Sequence, residues 1–418
     1  MTPTPPTERR ADRRGEPARP RPLADAVLRL IWQEREISRA DIARRADLSR
    51  STVSEIVSLL LPTALVAEVG TGPSRGGRRP IVLRFQDEAC VILGVEVGAS
   101  HVAVALTDLR GKVLVWRHRT HQVRTDPEGT RRLVRELCDA CLGKLGGSTR
   151  RLIGVGIALP SPVDPHAPEH LSEVVLPDWN GRHGFESIAE GYGVPLFVDN
   201  DANLGALAER WWGAGRGVDD FAYVKVATGI GSGHMSGGRL FRGAKGVAGE
   251  IGHMAIDTHG ETCVCGLRGC LATFVGTQAL LSNARRMVAS FPESPLAQGE
   301  PTVTDIEQAC RAGDPLATQL VRETAEHLGV AIASMLNLMN PAKVILGGGI
   351  THVGELLLEP LRETVKRRTL VSSIEASAIV ASELGPRAGA VGAATMVLEA
   401  ALHDSRLFPT THRRSESR

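Results

Sequence analysis

The sequence predicts an α/β protein, and three of its properties carry this prediction. Aromatic residues make up only 4% of the chain, so its cores must be built from Val, Leu, Ile and Ala. Glycine occurs 45 times, which is typical of a chain with many tight backbone turns. The 418 residues correspond to about two to four folded units of roughly 100–200 residues each. Together these properties favour an α/β architecture over a β-sandwich.

The overall composition is that of an ordinary globular protein. Hydrophobic residues make up 42% and charged residues 23% of the chain, which excludes a disordered chain, a collagen and a bulk membrane protein. The segment Met1–Arg21 is rich in Pro and Arg and lacks the apolar region of a signal peptide, and no later stretch approaches the roughly 20 apolar residues of a membrane span. Seven scattered cysteines favour a reducing compartment. We therefore expect a cytoplasmic protein with no membrane partner.

Charge is unevenly distributed along the chain. Met1–Gln86 contains 16 Arg, no Lys and 10 acidic residues, a formal charge of +6, whereas the whole chain carries only +2. Phosphate contact is a local electrostatic effect, so a basic first fifth favours a polyanionic partner for that part alone. Within it, we expect residues 1–21 to form a disordered basic tail.

The segment 22–86 has the pattern of a winged helix-turn-helix. A helix begins at Pro22, the apolar pattern breaks at Glu34–Ile37, and Ser38 is suited to cap a second short helix. Ser49 is suited to cap a third helix, and two short helices joined by a tight turn form a helix-turn-helix. Two strand-like runs around a glycine-rich turn follow and predict a two-stranded wing.

Basic and small polar side chains lie where such a module contacts DNA. The start of the third helix is where a recognition helix meets base edges and phosphates. The candidate contacts there are Ser49, Arg50, Ser51, Thr52 and Ser54. The wing tip adds guanidinium groups suited to the DNA backbone or minor groove, namely Arg75, Arg78 and Arg79. We therefore expect double-stranded operator DNA as the partner, and a three-helix protein-interaction module with a solvated basic loop is the alternative.

The remainder of the chain contains two similar units. Val91–Val115 and Phe221–Leu240 each consist of an apolar run, a loop with glycine and hydroxyl residues, and a second apolar run. Two further buried strands that end in polar residues lie between them, and a triple glycine near the end follows the long helix Leu316–Leu338. Glycine loops alone occur in many unrelated folds. The order of all these motifs nevertheless predicts a duplicated α/β fold with a cleft between two lobes.

One imidazole and three thiols occur within eighteen residues and predict a metal site. The set comprises His253, Cys263, Cys265 and Cys270. Thiolates and neutral imidazole are the ligands that tetrahedral zinc prefers, and the set is complete without the nearby His259, so we expect a closed structural zinc site. A set of reduced core cysteines is the alternative, but packing alone hardly explains the C-x-C-G-x-x-G-C spacing. Cys138 and Cys141 lie on a predicted amphipathic helix, where we expect them to be core residues.

These motifs resemble those of the ROK family, which is named for repressors, open reading frames of unknown function and sugar kinases. The resemblance covers about Val91 to Leu398 and implies a two-lobed, actin-like body of the hexokinase type. With a winged helix in front, the whole chain resembles the transcriptional-regulator branch of the family. We therefore expect a body at 90–400, a disordered tail at 401–418, and a homodimer or dimer of dimers.

The resemblance implies a sugar site. In ROK sugar kinases the Asp of an Asn-Asp pair takes the proton from the attacking sugar hydroxyl, and Asn200-Asp201 match that pair. Glu250 and His253 match the family's next two sugar contacts, and the family uses its zinc to hold the loop that carries them. Asp201 is accordingly the expected catalytic base if kinase activity is retained. An exposed turn at the end of a strand is the alternative for the Asn-Asp pair.

The resemblance also implies a nucleotide site built from glycine-containing loops. The matching residues are Glu96, Gly98, Ser100, Thr228, Gly229, Gly231, Gly347 and Gly348. Two departures argue against phosphoryl transfer from ATP and Mg²⁺. Glu96 replaces the Asp of the family and moves its charge by roughly one bond. Ala272 replaces a Glu whose charge-assisted hydrogen bond to the sugar is worth roughly 1.5–3 kcal/mol.

The function that these features predict is a sugar-responsive DNA-binding transcriptional regulator of carbohydrate metabolism, acting as a repressor, with a sugar or sugar phosphate as effector. An ATP-dependent kinase of a hexose or amino sugar, fused to a DNA-binding domain, is the alternative. A third hypothesis makes the body a dimerisation scaffold without a ligand, in which Glu96 and Ala272 reflect the loss of an ancestral site.

Overall fold

The computed structural model describes residues 21–71, 80–146, 150–369 and 379–409. The chain forms two compact units, the first made of residues up to Gln86 together with those from Ala401 onward, and the second made of Asp87–Ala400. Three of the predicted DNA contacts, Arg75, Arg78 and Arg79, lie outside the described residues, as do residues 1–20 of the first predicted tail and residues 410–418 of the second. Within the described residues, no helix is both long enough and apolar enough to cross a membrane.

The first unit begins with the three helices that the sequence predicts. They are α1 (Arg21–Glu34), α2 (Arg39–Arg45) and α3 (Arg50–Leu60). The side-chain oxygen of Ser38 accepts a hydrogen bond from the backbone N–H of Asp41, and that of Ser49 accepts one from Thr52, so both predicted caps are present. The apolar faces of the helices close a small core of Val27, Leu28, Ile31, Ile42, Val53, Ile56, Val57 and Leu60.

The two strands predicted for the wing are present, and a third strand joins them in an antiparallel sheet beside these helices. Its strands are β1 (Glu36–Ser38), β2 (Val66–Thr71) and β3 (Ile81–Phe85), in the order β1-β3-β2. The missed strand β1 has only three residues, too few for an alternating pattern to be recognised in the sequence. Ile37 in β1 lies opposite Leu83 in β3, and burial of both side chains holds the strand in place.

The second unit begins with a five-stranded sheet and the helices that pack on it. The elements are β4 (Cys90–Val97), β5 (His101–Thr107), β6 (Val113–Thr120), α4 (Pro127–Leu142), β7 (Arg151–Leu159), α5 (Glu186–Tyr192) and β8 (Leu196–Asn200). The apolar stretch 101–115 is divided into β5 and β6 because the Asp108 carboxylate accepts hydrogen bonds from the backbone N–H groups of Arg110 and Lys112 and so stabilises a turn. Cys138 and Cys141 on α4 are buried, as predicted.

A second five-stranded sheet with its helices completes this unit. The elements are α6 (Asp201–Trp212), β9 (Phe221–Val226), β10 (Ile230–Ser236), β11 (Arg239–Phe241), α7 (Ala272–Val275), α8 (Thr277–Met287), α9 (Val303–Arg311), α10 (Pro315–Met339), β12 (Lys343–Gly347), α11 (Glu355–Arg368), β13 (Ile379–Ala381) and α12 (Ala388–His403).

The two sheets have the same topology. Their strand orders are β6-β5-β4-β7-β8 and β11-β10-β9-β12-β13, so in each sheet the strands stand in the order third, second, first, fourth, fifth. In each sheet, the first three strands along the chain pair antiparallel with one another. The fourth strand pairs parallel with the first, and the fifth pairs parallel with the fourth. This confirms the predicted duplicated, two-lobed α/β body.

Helices α6 and α12 connect the two lobes. Leu204 and Leu207 of α6 pack with Ala158 of the first sheet, whereas Ala206 of the same helix packs with Tyr223 of the second. The helices approach each other closely at Gly392, where a Cβ atom would lie 1.8 Å from the backbone oxygen of Leu204. A small residue at this position is therefore required for the two lobes to share these helices.

The prediction of a disordered tail from residue 401 is wrong for the residues that the structure describes. Helix α12 continues to His403, a short 3₁₀ turn covers Ser405–Leu407, and the side chain of Phe408 is buried. The backbone N–H of Ser405 donates a hydrogen bond to the Asp25 carboxylate of α1. Residues 401–409 thus belong to the first unit. The sequence of this short segment did not indicate this.

Candidate ligand site, metal centre and nucleic-acid interface

The end of β8 and the start of α6 place the predicted Asn-Asp pair. The side-chain oxygen of Asn200 accepts hydrogen bonds from the backbone N–H groups of Ala202 and Asn203 at 2.9 and 3.1 Å, and so caps α6. Its amide nitrogen donates to the backbone oxygen of Ser161 at 3.2 Å. Asn200 is therefore engaged in holding the first turn of α6, and its predicted contact with a ligand stays a prediction. The neighbouring Asp201 begins the helix, and its side chain is only 12% exposed.

An ion pair between a buried carboxylate and a half-buried arginine, absent from the sequence prediction, supports this turn. Oδ2 of Asp199 accepts a hydrogen bond from Nε of Arg242 at 2.7 Å, and Oδ1 accepts one from the side-chain amide of Asn203 at 3.0 Å. The Asp199 side chain is only 4% exposed, so its charge requires these partners. An acid at the end of an apolar strand was the available signal, but its partner lies 43 residues away.

Lys225 links two of the predicted site residues. Its Nζ atom lies 2.5 Å from Oε1 of Glu96 and 2.7 Å from Oδ2 of Asp201. Burial acts to raise the pKa of Glu96, but the positive charges of Lys225 and His101 outweigh it and hold that pKa below its usual value. Sequence reasoning missed Lys225, although a lysine within the apolar strand β9 is a signal, because a buried lysine must be paired.

Of the eight predicted nucleotide-binding residues, Glu96 lies in β4 and the other seven lie in turns or at the ends of strands. Gly98 and Ser100 lie in the turn between β4 and β5, and Thr228 and Gly229 lie between β9 and β10. The remaining three lie on or just after strands of the second sheet, namely Gly231, Gly347 and Gly348. Because β9 and β12 are adjacent and parallel, their carboxyl ends lie at the same sheet edge. The loops that follow β9 and β12 are thus neighbours within the second sheet, while the nucleotide site as a whole stays a prediction.

The imidazole of His101 covers the first of these turns. A Cβ atom on Gly98 would lie 2.3 Å from Cε1 of His101, so the ring lies directly against this glycine. Nε2 of the ring lies 3.9 Å from Oε1 of Glu96. Burial lowers the pKa of His101 below its ordinary value. The first loop of the predicted phosphate site therefore carries a bulky ring in addition to the longer acid.

A short 3₁₀ turn, Ile251–His253, contains one of the other two predicted sugar contacts, His253, and Glu250 directly precedes it. Oε2 of Glu250 lies 3.9 Å from Nε2 of His253. Burial and the negative charge of Asp201 raise the pKa of Glu250 to about 7. The negative charge of Asp201 thus acts on Glu250, and contact of both carboxylates with one ligand stays a prediction.

The loop that carries Glu250 is fastened to β10. The hydroxyl of Ser232 donates a hydrogen bond to the backbone oxygen of Gly249 at 3.0 Å and lies 2.8 Å from Nε2 of His234. Since a hydroxyl has one proton, this arrangement places the imidazole proton of His234 on Nε2. Burial lowers the pKa of His234 to about 4, so the ring is neutral at pH 7.

The four predicted metal ligands are brought together. A ring nitrogen of His253 and the three Sγ atoms of Cys263, Cys265 and Cys270 all lie within 4.8 Å of one another. Nδ1 of His253 is 3.6 Å from Sγ of Cys263, and the Sγ atoms of Cys265 and Cys270 are 3.7 Å apart. The side chain of His259 is 95% exposed and lies outside the cluster, as predicted. This set of one imidazole and three thiols can hold a metal ion.

The start of α3 in the first unit is the candidate nucleic-acid interface. Ser49, Arg50 and Ser51 are exposed, and Thr52 and Ser54 are half-buried. Oγ of Ser49 lies 2.8 Å from both Oγ of Ser51 and Oγ1 of Thr52. The hydroxyls thus form a small cluster around the cap, with Arg50 as the charged residue beside it. Contact of these residues with DNA stays a prediction.

Comparison with known proteins places this architecture among characterised relatives. The family model described as "ROK family" matches residues 92–400. The xylose repressor of Bacillus subtilis (strain 168) is 31% identical over 373 residues, which cover 89% of this chain and 94% of that protein. The DNA-binding transcriptional dual regulator NagC of Escherichia coli (strain K12) is 32% identical over 383 residues, 90% of this chain and 92% of that protein.

Two solved structures extend the comparison. A ROK family transcriptional regulator, described as a homologue of the E. coli MLC protein, superposes with a TM-score of 0.78 at 27% identity and covers 93% of this chain and 97% of its own. A ROK family glucokinase from Streptomyces griseus, in complex with glucose and AMPPNP, has a TM-score of 0.64 at 32% identity and covers 73% of this chain and 98% of its own. The regulator thus matches nearly the whole chain, whereas the kinase matches a shorter part of it.

Proposed function

Because the chain belongs to the ROK family, we propose that it is a transcriptional repressor whose binding to operator DNA responds to a sugar. The observation that carries this proposal is the presence in one chain of two separate units, a helix-turn-helix with an exposed Arg50 and a body built on two sheets of the same topology. Relatives that match about nine-tenths of the chain and are named xylose repressor and N-acetylglucosamine repressor support the same function.

Operator binding is assigned to the first unit. Capping by Ser49 presents the exposed start of α3, the position at which a recognition helix meets base edges and phosphates. The formal charge of +6 on residues 1–86 supplies the long-range attraction to phosphate. A two-fold dimer would present two such helices, and on B-DNA their half-sites lie about 34–36 Å apart. Sedimentation analysis tests the dimer directly.

Effector binding is assigned to the body. Asp201 and Glu250 place two carboxylates in one environment, and Nε2 of His253 adds a donor or acceptor beside them. Paired acceptors and donors of this kind suit adjacent sugar hydroxyls. Xylose and N-acetylglucosamine appear in the names of relatives, so a small monosaccharide or its phosphate is the effector class that we propose.

Zinc is the metal that we propose for the His-Cys cluster. Zn–S bonds of about 2.3 Å and Zn–N bonds of about 2.0–2.1 Å at the tetrahedral angle separate two sulfurs by about 3.8 Å and a sulfur from a nitrogen by about 3.6 Å. The observed separations of 3.7 Å between Cys265 and Cys270 and 3.6 Å between His253 and Cys263 agree with these values. When bound, such a zinc ion would cross-link the segment between His253 and Cys270. This chain's own Glu250 and His253 would then be held in place for the ligand.

Sugar phosphorylation is the alternative function, and the fold of the glucokinase supports it in principle. Against it, Lys225 lies on the Asp201 carboxylate that would have to accept the hydroxyl proton, and His101 covers the turn at Gly98. A coupled ATPase assay with hexoses, pentoses and amino sugars decides between the two. Turnover that Asp201→Asn abolishes would establish the kinase.

The experiment that tests the repressor is selection of genomic DNA fragments bound by the full-length protein. We expect one sequence class to be enriched, and its affinity to fall when the correct sugar is added. Enrichment without any response to sugars or sugar phosphates would support the scaffold hypothesis instead. Absence of any enriched sequence at near-physiological salt would contradict the proposal as a whole, because specific sites exceed nonspecific DNA in affinity by roughly a thousandfold or more.

A further inference from the structure

Lys225 is a charged residue at the end of an apolar strand. On β9 its side chain lies on the same face as those of Phe221 and Tyr223, which are buried. A lysine in such a position retains its charge only if carboxylates compensate for the loss of hydration. The groups that compensate for the lost hydration of Lys225 must therefore be identified.

Both partners of Lys225 come from other parts of the chain. Glu96 lies at the end of β4 in the first sheet, and Asp201 begins α6. Their oxygens converge on Nζ of Lys225 at 2.5 and 2.7 Å, and the three side chains are only 5%, 12% and 14% exposed, in the order Glu96, Asp201, Lys225. Two carboxylates thus share one cation within a nearly buried cluster.

The ionisation of this cluster follows from its geometry. Burial disfavours the charged ammonium, but the two carboxylates more than offset that effect and raise the pKa of Lys225 above its ordinary value. Without the ammonium, two negatively charged groups would face each other in a poorly hydrated space. The ammonium therefore compensates for the charge that the two side chains bring together.

The longer side chain of Glu96 is part of this arrangement. A Cβ atom on Gly389, at the start of α12, would lie 2.5 Å from Oε2 of Glu96, so the carboxylate rests directly against that glycine. Its other oxygen, Oε1, faces Lys225, and the ring of His101 lies 3.9 Å from the same atom. The carboxylate is thereby held between α12 and β9, and its position is set by packing as well as by charge.

Two carboxylate oxygens that converge on one point are also the arrangement by which proteins hold hard divalent cations. We propose that the ammonium of Lys225 occupies the position at which Glu96 and Asp201 would otherwise hold a divalent cation. The cleft then carries its own cation and has no place there for a metal–nucleotide complex. This inference concerns the body alone and does not depend on DNA binding or on the identity of the effector.

The proposal is tested by replacing the lysine and offering a metal. Full-length, zinc-loaded Lys225→Met and Lys225→Ser are compared with the wild type, using Mn²⁺ as the probe and paramagnetic resonance to count bound ions. We expect one additional Mn²⁺ per chain in both variants and none in the wild type. At a free concentration of about ten times the dissociation constant, Mn²⁺ should raise the Tm of the variants by about 2–4 °C.

Two controls separate this site from others in the chain. The double variant Glu96→Gln/Lys225→Met lacks one of the two carboxylates and should bind no additional Mn²⁺. Lys343→Met removes an ammonium that donates to the backbone oxygen of Ala214 rather than to carboxylates, and it should also bind none. If a single variant folds poorly, its recovery of folded protein on addition of Mn²⁺ is the readout. The proposal is overturned if neither variant at Lys225 responds to Mn²⁺, or if the wild type or the double variant responds equally.

Discussion

The imidazole of His253 joins two functional groups, because its Nε2 atom lies 3.9 Å from Oε2 of Glu250 while its Nδ1 atom lies 3.6 Å from Sγ of Cys263. One ring nitrogen therefore faces the metal cluster and the other faces the carboxylate expected to contact the effector. The partner of the second nitrogen orients a metal-bound imidazole. Metal binding and effector binding are thus expected to fail together.

The first prediction concerns removal of the metal. Cys265→Ser should release the metal because a hydroxyl is a poor ligand for zinc, and the loop of Glu250 should lose its fixed position. We expect the metal content to fall from about one ion per chain and the effector-induced rise in Tm to disappear. Mass spectrometry of the metal and thermal melts with D-xylose, N-acetylglucosamine and glucose measure both.

Cys138→Ala on α4 is the matched control, since it removes a buried thiol outside the cluster and should leave the metal in place. Full retention of zinc by Cys265→Ser would count against the four-ligand site.

The second prediction concerns DNA. Arg50→Ala should weaken operator binding roughly tenfold, because one charge-assisted phosphate contact is worth about 1.5 kcal/mol. The slope of log K against log[salt] should become shallower by about 1. Fluorescence anisotropy over a range of salt concentrations measures both values. Arg322→Ala removes an arginine of α10 that is 71% exposed and should change neither. An unchanged salt slope for Arg50→Ala would remove this residue from the interface.

The third prediction concerns the effector. Asp201→Asn should lower effector affinity by roughly ten- to a hundredfold, since it replaces a charge-assisted hydrogen bond by a neutral one. The fold should persist, because Lys225 keeps Glu96 as a partner. Calorimetric titration measures the affinity, and Asp178→Asn, at an exposed position of the same unit, is the control. In the absence of effector, Asp201→Asn and Asp178→Asn should bind DNA with the same affinity. If the two variants also bind the effector with the same affinity, Asp201 does not contact the effector.

The fourth prediction concerns pH. The pKa of His234 lies at about 4 in the folded protein, below its ordinary value of 6.5, so the unfolded chain binds more protons between these two pH values. The contribution of His234 to stability is therefore complete above pH 6.5 and is lost as pH falls towards 4. The difference corresponds to about 3 kcal/mol. In the wild type, the free energy of unfolding should fall between pH 6.5 and pH 4, and in His234→Gln this fall should be smaller by about 3 kcal/mol. Urea titrations at several pH values measure it. His166→Gln, at an exposed position, should leave the pH dependence unchanged.

Interactions between residues close in the chain were predictable. The caps at Ser38 and Ser49 each act on a residue three positions further on, and both were confirmed. The four metal ligands lie within eighteen residues, so spacing and ligand chemistry sufficed to select them. The duplicated pattern of the body and the resemblance to the ROK family were also readable, and the two matching sheets and the family match confirmed them.

Contacts between distant segments were not predictable in the same way. Lys225 lies 129 residues from Glu96 and 24 from Asp201, and no local pattern indicates which carboxylates a buried lysine will meet. The strand β1, the engagement of Asn200 as a helix cap and the return of residues 401–409 to the first unit were likewise missed. Local propensity and ligand chemistry are properties of short segments, whereas charge pairing in a poorly hydrated cleft depends on which strands and helices become neighbours. That is why residue types and spacing revealed the family and the metal ligands, but only packing of the two sheets against α6 and α12 revealed the cation in the cleft.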